Sequence, residues 1–263
     1  MNHIHSSTKE YDAIIVGAGF SGLYQLICLR DQLGLKCVVL ETGDDVGGTW
    51  YWNRYPGARC DTESHAYSYY FSDELLKEWT WSERYPGHEE IREYMNFVAS
   101  KFDLKKDILF KQKVISAKFI EDNNNWNVKT DNNNFKCKFL ITAVGCLSNT
   151  NIPKIKGLED FEGNYYHTGN WPKNGVSFVN KTVGQIGTGS TGIQAVPVIA
   201  AEAKHLTVFQ RTANYSIPAR NKPLTEQFKK QVKENFQYYK DLIKRTPNAH
   251  PFEISDRLVA DVN

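Results

Sequence analysis

The 263-residue sequence is poor in every feature that marks a membrane protein, a secreted disulfide scaffold or a nucleic-acid binder. Its longest apolar run, Phe139 to Leu147, is interrupted by Thr142 and Gly145 and falls far short of the ~20 residues a membrane helix needs. The first ten residues, Met-Asn-His-Ile-His-Ser-Ser-Thr-Lys-Glu, hold no apolar stretch of secretory type. Charge is nearly balanced, 32 basic against 30 acidic residues, so no basic surface for nucleic acid or an anionic membrane is expected. Cysteine is scarce and odd in number: Cys28, Cys37, Cys60, Cys137 and Cys146 form no C-x-x-C pair. That excludes a disulfide framework and predicts free, mostly buried thiols in a reducing, cytoplasmic compartment. No metal site is expected.

What the sequence does contain is a pair of glycine turns. Tyr11 to Val16 is a short β-branched run that reads as a buried strand, and it enters Gly17-Ala-Gly19-Phe-Ser-Gly22 and an apolar-periodic helix, Leu23 to Leu33. Gly17 allows the tight turn, Gly19 lets a pyrophosphate approach the backbone, and Gly22 lets the helix pack close to the strand. The helix N-terminus adds free N–H groups and a partial positive charge. A second strand, Lys36 to Leu40, ends in Glu41, nineteen residues beyond Gly22, where a carboxylate accepts from ribose hydroxyls. A surface glutamate after an ordinary glycine turn is the alternative.

Gly187-Thr188-Gly189-Ser190-Thr191-Gly192 repeats the geometry, followed by a helix over Ile193 to Ala203 and a strand over His205 to Phe209. Nineteen residues beyond Gly192 stands Arg211, between Gln210 and Thr212. A carboxylate repels a 2′-phosphate, whereas a guanidinium binds one through paired hydrogen bonds. The contrast assigns FAD to the first site and NADPH to the second, with NADH beside a solvated Arg211 as the alternative. The strand into this loop is unusual, because Gly184 and Gln185 replace the apolar residues of a buried parallel strand. Either the strand is weakened, or Gln185 finds a local partner.

Between the two turns, Phe161 to Pro172 reads F-x-G-x-x-x-H-x-x-x-W-P, and Gly48 to Asp61 reads G-x-W-x-x-x-x-Y-P-G-x-x-x-D. Together these motifs resemble those of type I Baeyer–Villiger monooxygenases, FAD- and NADPH-dependent enzymes that convert ketones to esters or lactones with O2 through a C4a-peroxyflavin. Flavin N/S-monooxygenases have a similar fingerprint that does not end in Trp-Pro. Arg211 to Pro218 is most similar to the cyclohexanone-type branch, which implies cyclic ketones. The resemblance implies that Thr49, Trp50, Asp61 and Tyr67 line the flavin, that Glu41 meets its ribose, and that the Val114 backbone meets its adenine. It places Arg59, Cys60 and Asp61 near the nicotinamide. Asp61 carries the best claim to catalysis, as a buried carboxylate that positions an arginine; an Asp capping its own turn is the alternative. His167 is expected to couple the domains as a hydrogen-bonding hub and not to transfer protons.

The expected fold is α/β, with two Rossmann-like dinucleotide domains, FAD then NADPH. Residues 1–148 form the FAD domain, 149–218 the fingerprint linker and the first part of the NADPH domain, and 219–263 the start of a helical insertion. Lys105 to Val144 reads as a β-meander with Asn-rich tips, joined to a returning strand, Phe139 to Val144, and covering one side of the parallel sheet. Gln227 to Ile243 sets apolar residues at 228, 232, 236, 239 and 242, one face of a single amphipathic helix. The sequence reads as the N-terminal part of such an enzyme, with a C-terminal part expected as its partner alongside a small ketone and O2. No residue matches the family's peroxyflavin-stabilising arginine. The rival readings are an N/S-oxygenating flavin monooxygenase and a non-catalytic nucleotide-binding fragment.

Overall fold

A computed structural model describes residues 8–247 and Phe252. The first seven residues, up to Ser7, and the end of the 219–263 segment therefore lie outside the described residues. Among the described residues no helix is long and apolar enough to cross a membrane.

The chain builds an α/β fold around two sheets. In order it forms β1 (Lys9–Val16), α1 (Phe20–Ile27), β2 (Cys37–Leu40), α2 (Thr49–Trp52), α3 (Asp73–Glu78), α4 (His88–Lys101), β3 (Ile108–Leu109), β4 (Val114–Ile120), β5 (Asn125–Thr130) and β6 (Asn134–Thr142). There follow β7 (Thr182–Ile186), α5 (Ser190–Glu202), β8 (His205–Phe209), α6 (Glu226–Glu234) and α7 (Phe236–Arg245). The first sheet runs β3-β2-β1-β6-β5-β4, and the second pairs β7 with β8 in parallel.

Strand alternation sets the core on both faces of the first sheet. Ala13, Ile15 and Val39 point to one side, where Leu23 and Leu26 of α1 and Ile91, Met95 and Val98 of α4 cover them. Ile14, Val38 and Leu40 point to the other, against Val128, Phe135 and Cys137. Burying both faces explains why β1 and β2 read as unbroken apolar runs.

Four local expectations need correction. The helix starts earlier, at Phe20, and its last turn, Cys28–Gln32, widens into a π-helix. There the Arg30 guanidinium bonds Asp107, Asp31 and the carbonyls of Phe102 and Asp103. The meander is no separate covering sheet. β6 is one nine-residue strand that pairs in parallel with β1 along one edge and antiparallel with β5 along the other, so the sheet is continuous. The helix over Gln227 to Ile243 is two helices, broken at Asn235, whose side-chain amide bonds the Gln231 carbonyl. The α5 helix begins at Ser190, directly on the glycine loop.

All five cysteines are free, with Cys37, Cys60 and Cys137 buried and Cys146 exposed. Gln185 does find local partners: its Nε2 donates to the carbonyls of Gly187 and Gly192, 3.1 Å each. Its Oε1 is buried and unbonded. The second strand thus uses a polar residue to close its own glycine loop.

Candidate functional site

Glu41 is almost fully buried at the end of β2, which rules out the exposed-glutamate alternative. Its two oxygens accept from Ala18 N–H and Gly43 N–H, both at 2.7 Å. The carboxylate therefore fixes the first glycine loop and the turn after β2 at once. Within the loop, the close approach at Gly22 is to the loop itself rather than to the strand. A Cβ on Gly22 would stand 1.8 Å from the Gly17 carbonyl oxygen, and one on Gly192 would stand 2.5 Å from that of Gly187.

Gly48 brings the next segment against this loop. It has φ +51°, and a Cβ there would stand 2.7 Å from the Gly19 Cα. The backbone at Gly19 and at Gly48–Thr49 thus forms one continuous cradle, closed above by aromatic residues. Trp50 Nε1 donates to the Tyr67 hydroxyl at 2.9 Å with the rings edge to face. Burial pushes the Tyr67 hydroxyl up to about 12, so it stays protonated through the physiological range. Val114 stands apart from this cradle, at the start of β4, where it pairs with Thr130.

Asp61 departs from the expected buried carboxylate. It is solvent-exposed, and among the described residues it has no ion-pair partner. The adjacent Arg59 is committed elsewhere, to Glu83 at 3.4 Å and to the Tyr85 carbonyl at 3.1 Å. Cys60 beside it is buried, and its thiol is pushed up to about 11, mainly by burial. This thiol is inert at neutral pH. The charge of Asp61 disfavours ionisation of Tyr55, Cys60 and Tyr67.

The second loop leaves room where the first is crowded. A Cβ on Gly189 would meet no heavy atom within 4 Å, so the loop faces open space at the start of α5. Gln210 Nε2 donates to the Thr188 hydroxyl at 2.9 Å, which ties the end of β8 to the loop, while Arg211 and Thr212 are exposed beside it. His167 caps the short turn Thr168–Asn170 by accepting the Gly169 N–H on Nδ1 at 3.1 Å, which leaves the ring proton on Nε2. This bond lies within its own turn.

Sequence reasoning missed the residues that join the two loops. Tyr55 OH donates to Gln194 Oε1 at 2.7 Å, and Gln194 Nε2 donates to the Arg59 carbonyl at 3.1 Å. Tyr55, Ala58, Trp171, Phe178, Ala195 and Ile199 form one buried cluster under this contact. The Tyr-Pro-Gly turn and the Trp-Pro end of the fingerprint therefore meet on α5. The only signal available was the Gly57 turn itself, where φ is +77° and a Cβ would stand 2.3 Å from the Gln194 carbonyl.

Residues 11–234 match the family model described as flavin-binding monooxygenase-like. The chain is 47% identical over 94% of its length to a Baeyer–Villiger monooxygenase of Pseudooceanicola batsensis, covering 45% of that protein. It is also 47% identical over 88% of its length to a cyclohexanone 1,2-monooxygenase of Acinetobacter sp., covering 42% of it. A solved cyclohexanone monooxygenase from Rhodococcus sp. Phi1, bound to NADP+, superimposes with a TM-score of 0.94 at 42% identity, over 98% of this chain and 48% of the other. The chain thus spans under half the length of the relatives it matches.

Proposed function

This chain belongs to the flavin-binding monooxygenase-like family, and we propose that it forms the FAD site and part of the NADPH site of a Baeyer–Villiger monooxygenase. In this reading residues 1–148 bind FAD, 149–218 carry the linker and begin the NADPH domain, and 219–263 open a helical insertion. The substrate is a ketone, cyclic by similarity to the cyclohexanone 1,2-monooxygenase of Acinetobacter sp., and O2 supplies the inserted oxygen. FAD and NADPH supply hydride transfer and oxygen activation when bound.

The residues fit those groups. Gly17, Gly19 and Gly22 with the N-terminus of α1 receive a pyrophosphate, and buried Glu41 holds the loop that presents it. Gly48, Thr49, Trp50 and Tyr67 wall off a planar ring and exclude water from one side. Gly187, Thr188, Gly189, Ser190, Thr191 and Gly192 present the open second cradle, and Gln210, Arg211 and Thr212 receive a 2′-phosphate. Asp61, exposed between the two, positions an arginine supplied from outside this chain, with Arg59 and Cys60 shaping the nicotinamide side. His167 keeps the fingerprint turn in shape.

One observation carries this reading: the segment from Gly48 to Asp61 touches the first glycine loop at one end and the helix of the second at the other. Incubation of the full-length protein that carries this chain with FAD, NADPH, O2 and cyclohexanone should consume NADPH and give ε-caprolactone, read by mass-resolved gas chromatography. N-oxides from amines with ketones untouched would move the activity to N-oxygenation. Bound nucleotides with no oxygenated product from either substrate would leave a nucleotide-binding protein and sink the monooxygenase reading.

A further inference from the structure

The contact between Gln194 and the Arg59 peptide has a form that goes beyond packing. Gln194 lies in the second turn of α5, two residues past Gly192, on the helix that begins at the second glycine loop. Its side-chain amide meets the Arg59 backbone as a partner strand would. Nε2 donates to the Arg59 carbonyl at 3.1 Å, and Oε1 accepts from the Arg59 N–H at 3.3 Å. The same Oε1 accepts from Tyr55 OH at 2.7 Å.

Three bonds from one amide therefore connect a nucleotide loop to the residue two before Asp61. On the far side, Arg59 is held by Glu83 and the Tyr85 carbonyl, and Cys60 N–H donates to the Pro86 carbonyl at 2.9 Å. The strip from Arg59 to Asp61 is thus suspended between the two halves, with Gln194 its direct polar tie to α5. Hydrogen-bond distances tolerate only a few tenths of an ångström, so a small shift of α5 breaks the set together.

We propose that Gln194 is a positioning residue: its amide latches the second nucleotide loop to the Arg59–Asp61 strip, so that NADP+ binding and the placement of that strip are coupled. The inference rests on the proposed NADPH site. Coupling of this kind is reciprocal, so nucleotide at the loop should quiet the strip, and loss of the latch should weaken the nucleotide.

The test is made on the FAD-loaded protein with NADP+ as the probe, comparing wild type with Gln194→Met, Gln194→Glu and Tyr55→Phe. Two readouts are NADP+ affinity by calorimetry and amide hydrogen exchange over residues 58–62. In wild type NADP+ should slow exchange in that strip. Gln194→Met, which keeps length and packing, should weaken NADP+ about tenfold, abolish the slowing and leave FAD content unchanged. Gln194→Glu loses the donor to the Arg59 carbonyl at neutral pH. It regains a donor when protonated, so its affinity relative to wild type should recover as pH falls toward 5. Tyr55→Phe, which removes one bond of the three, should give a smaller loss in the same direction.

Variants that bind NADP+ as wild type does, or exchange in wild type that ignores NADP+, would overturn the latch while leaving the nucleotide site in place. Wild-type protein that holds FAD but binds no NADP+ would overturn the NADPH site and the latch together.

Discussion

Glu41 and Arg211 occupy matched offsets after the two glycine loops, but their surroundings differ completely. Glu41 is buried and spends both oxygens on backbone N–H groups, so its charge is structural. Glu41→Gln keeps the shape but turns an amide NH2 toward a backbone donor. The orphaned N–H should cost about 1–3 kcal/mol of stability, read as a lower Tm, together with weaker FAD retention. Arg211 is exposed and ties down nothing among the described residues, so Arg211→Ala should leave Tm unchanged. It should weaken NADPH about 10- to 100-fold while sparing NADH, measured by paired titrations. Both positions stood out because they fall at the same offset after their loops, although the backbone bonds of Glu41 did not follow from spacing. Gln194 did not stand out, because a glutamine on a helix reads as surface filler and its partner Arg59 is 135 positions away.

At the scale of elements, the glycine turns, the β-α-β order and the run of short strands followed from apolar periodicity. What periodicity could not give was pairing. The double use of β6 depends on which strands reach its two edges, and that is fixed by tertiary contacts. The break at Asn235 is similar: the apolar spacing continues across it while the backbone does not. Asp61 was read as buried from the motif, yet the chain turns outward there because Arg59 and Cys60 are both held from the other side.

The two helices α6 and α7 dock through a titratable residue. His65 is buried with its ring edge to face with Phe228 of α6 and Tyr239 of α7, at 5.5 and 5.1 Å. Burial lowers its pKa, with Glu63 acting to raise it and Arg84 to lower it further. The folded state therefore takes up this proton less readily than the unfolded chain, where histidine titrates near about 6.5. The stabilisation from neutral His65 is present above that value and is lost as pH falls through the folded pKa. Acidification from pH 7.5 to 5 should speed hydrogen exchange in α6 and α7 ahead of the sheet. His65→Phe should reduce that pH dependence; unchanged pH dependence in this variant would count against the assignment.

The molecule as a whole places two nucleotide loops on two sheets, and the segment from Gly48 to Asp61 touches both sides. The first loop is crowded and cross-braced, with backbone at Gly19 and Gly48 in near contact. The second opens to space on a two-stranded sheet whose Ile186 and Phe209 are largely exposed. The first site accordingly has the framework to hold its cofactor. The most direct measurement is the visible absorbance spectrum of the purified protein after incubation with FAD and gel filtration. A flavin spectrum at one FAD per chain, retained through the column, is the predicted result. A colourless protein that rejects added FAD would contradict the account.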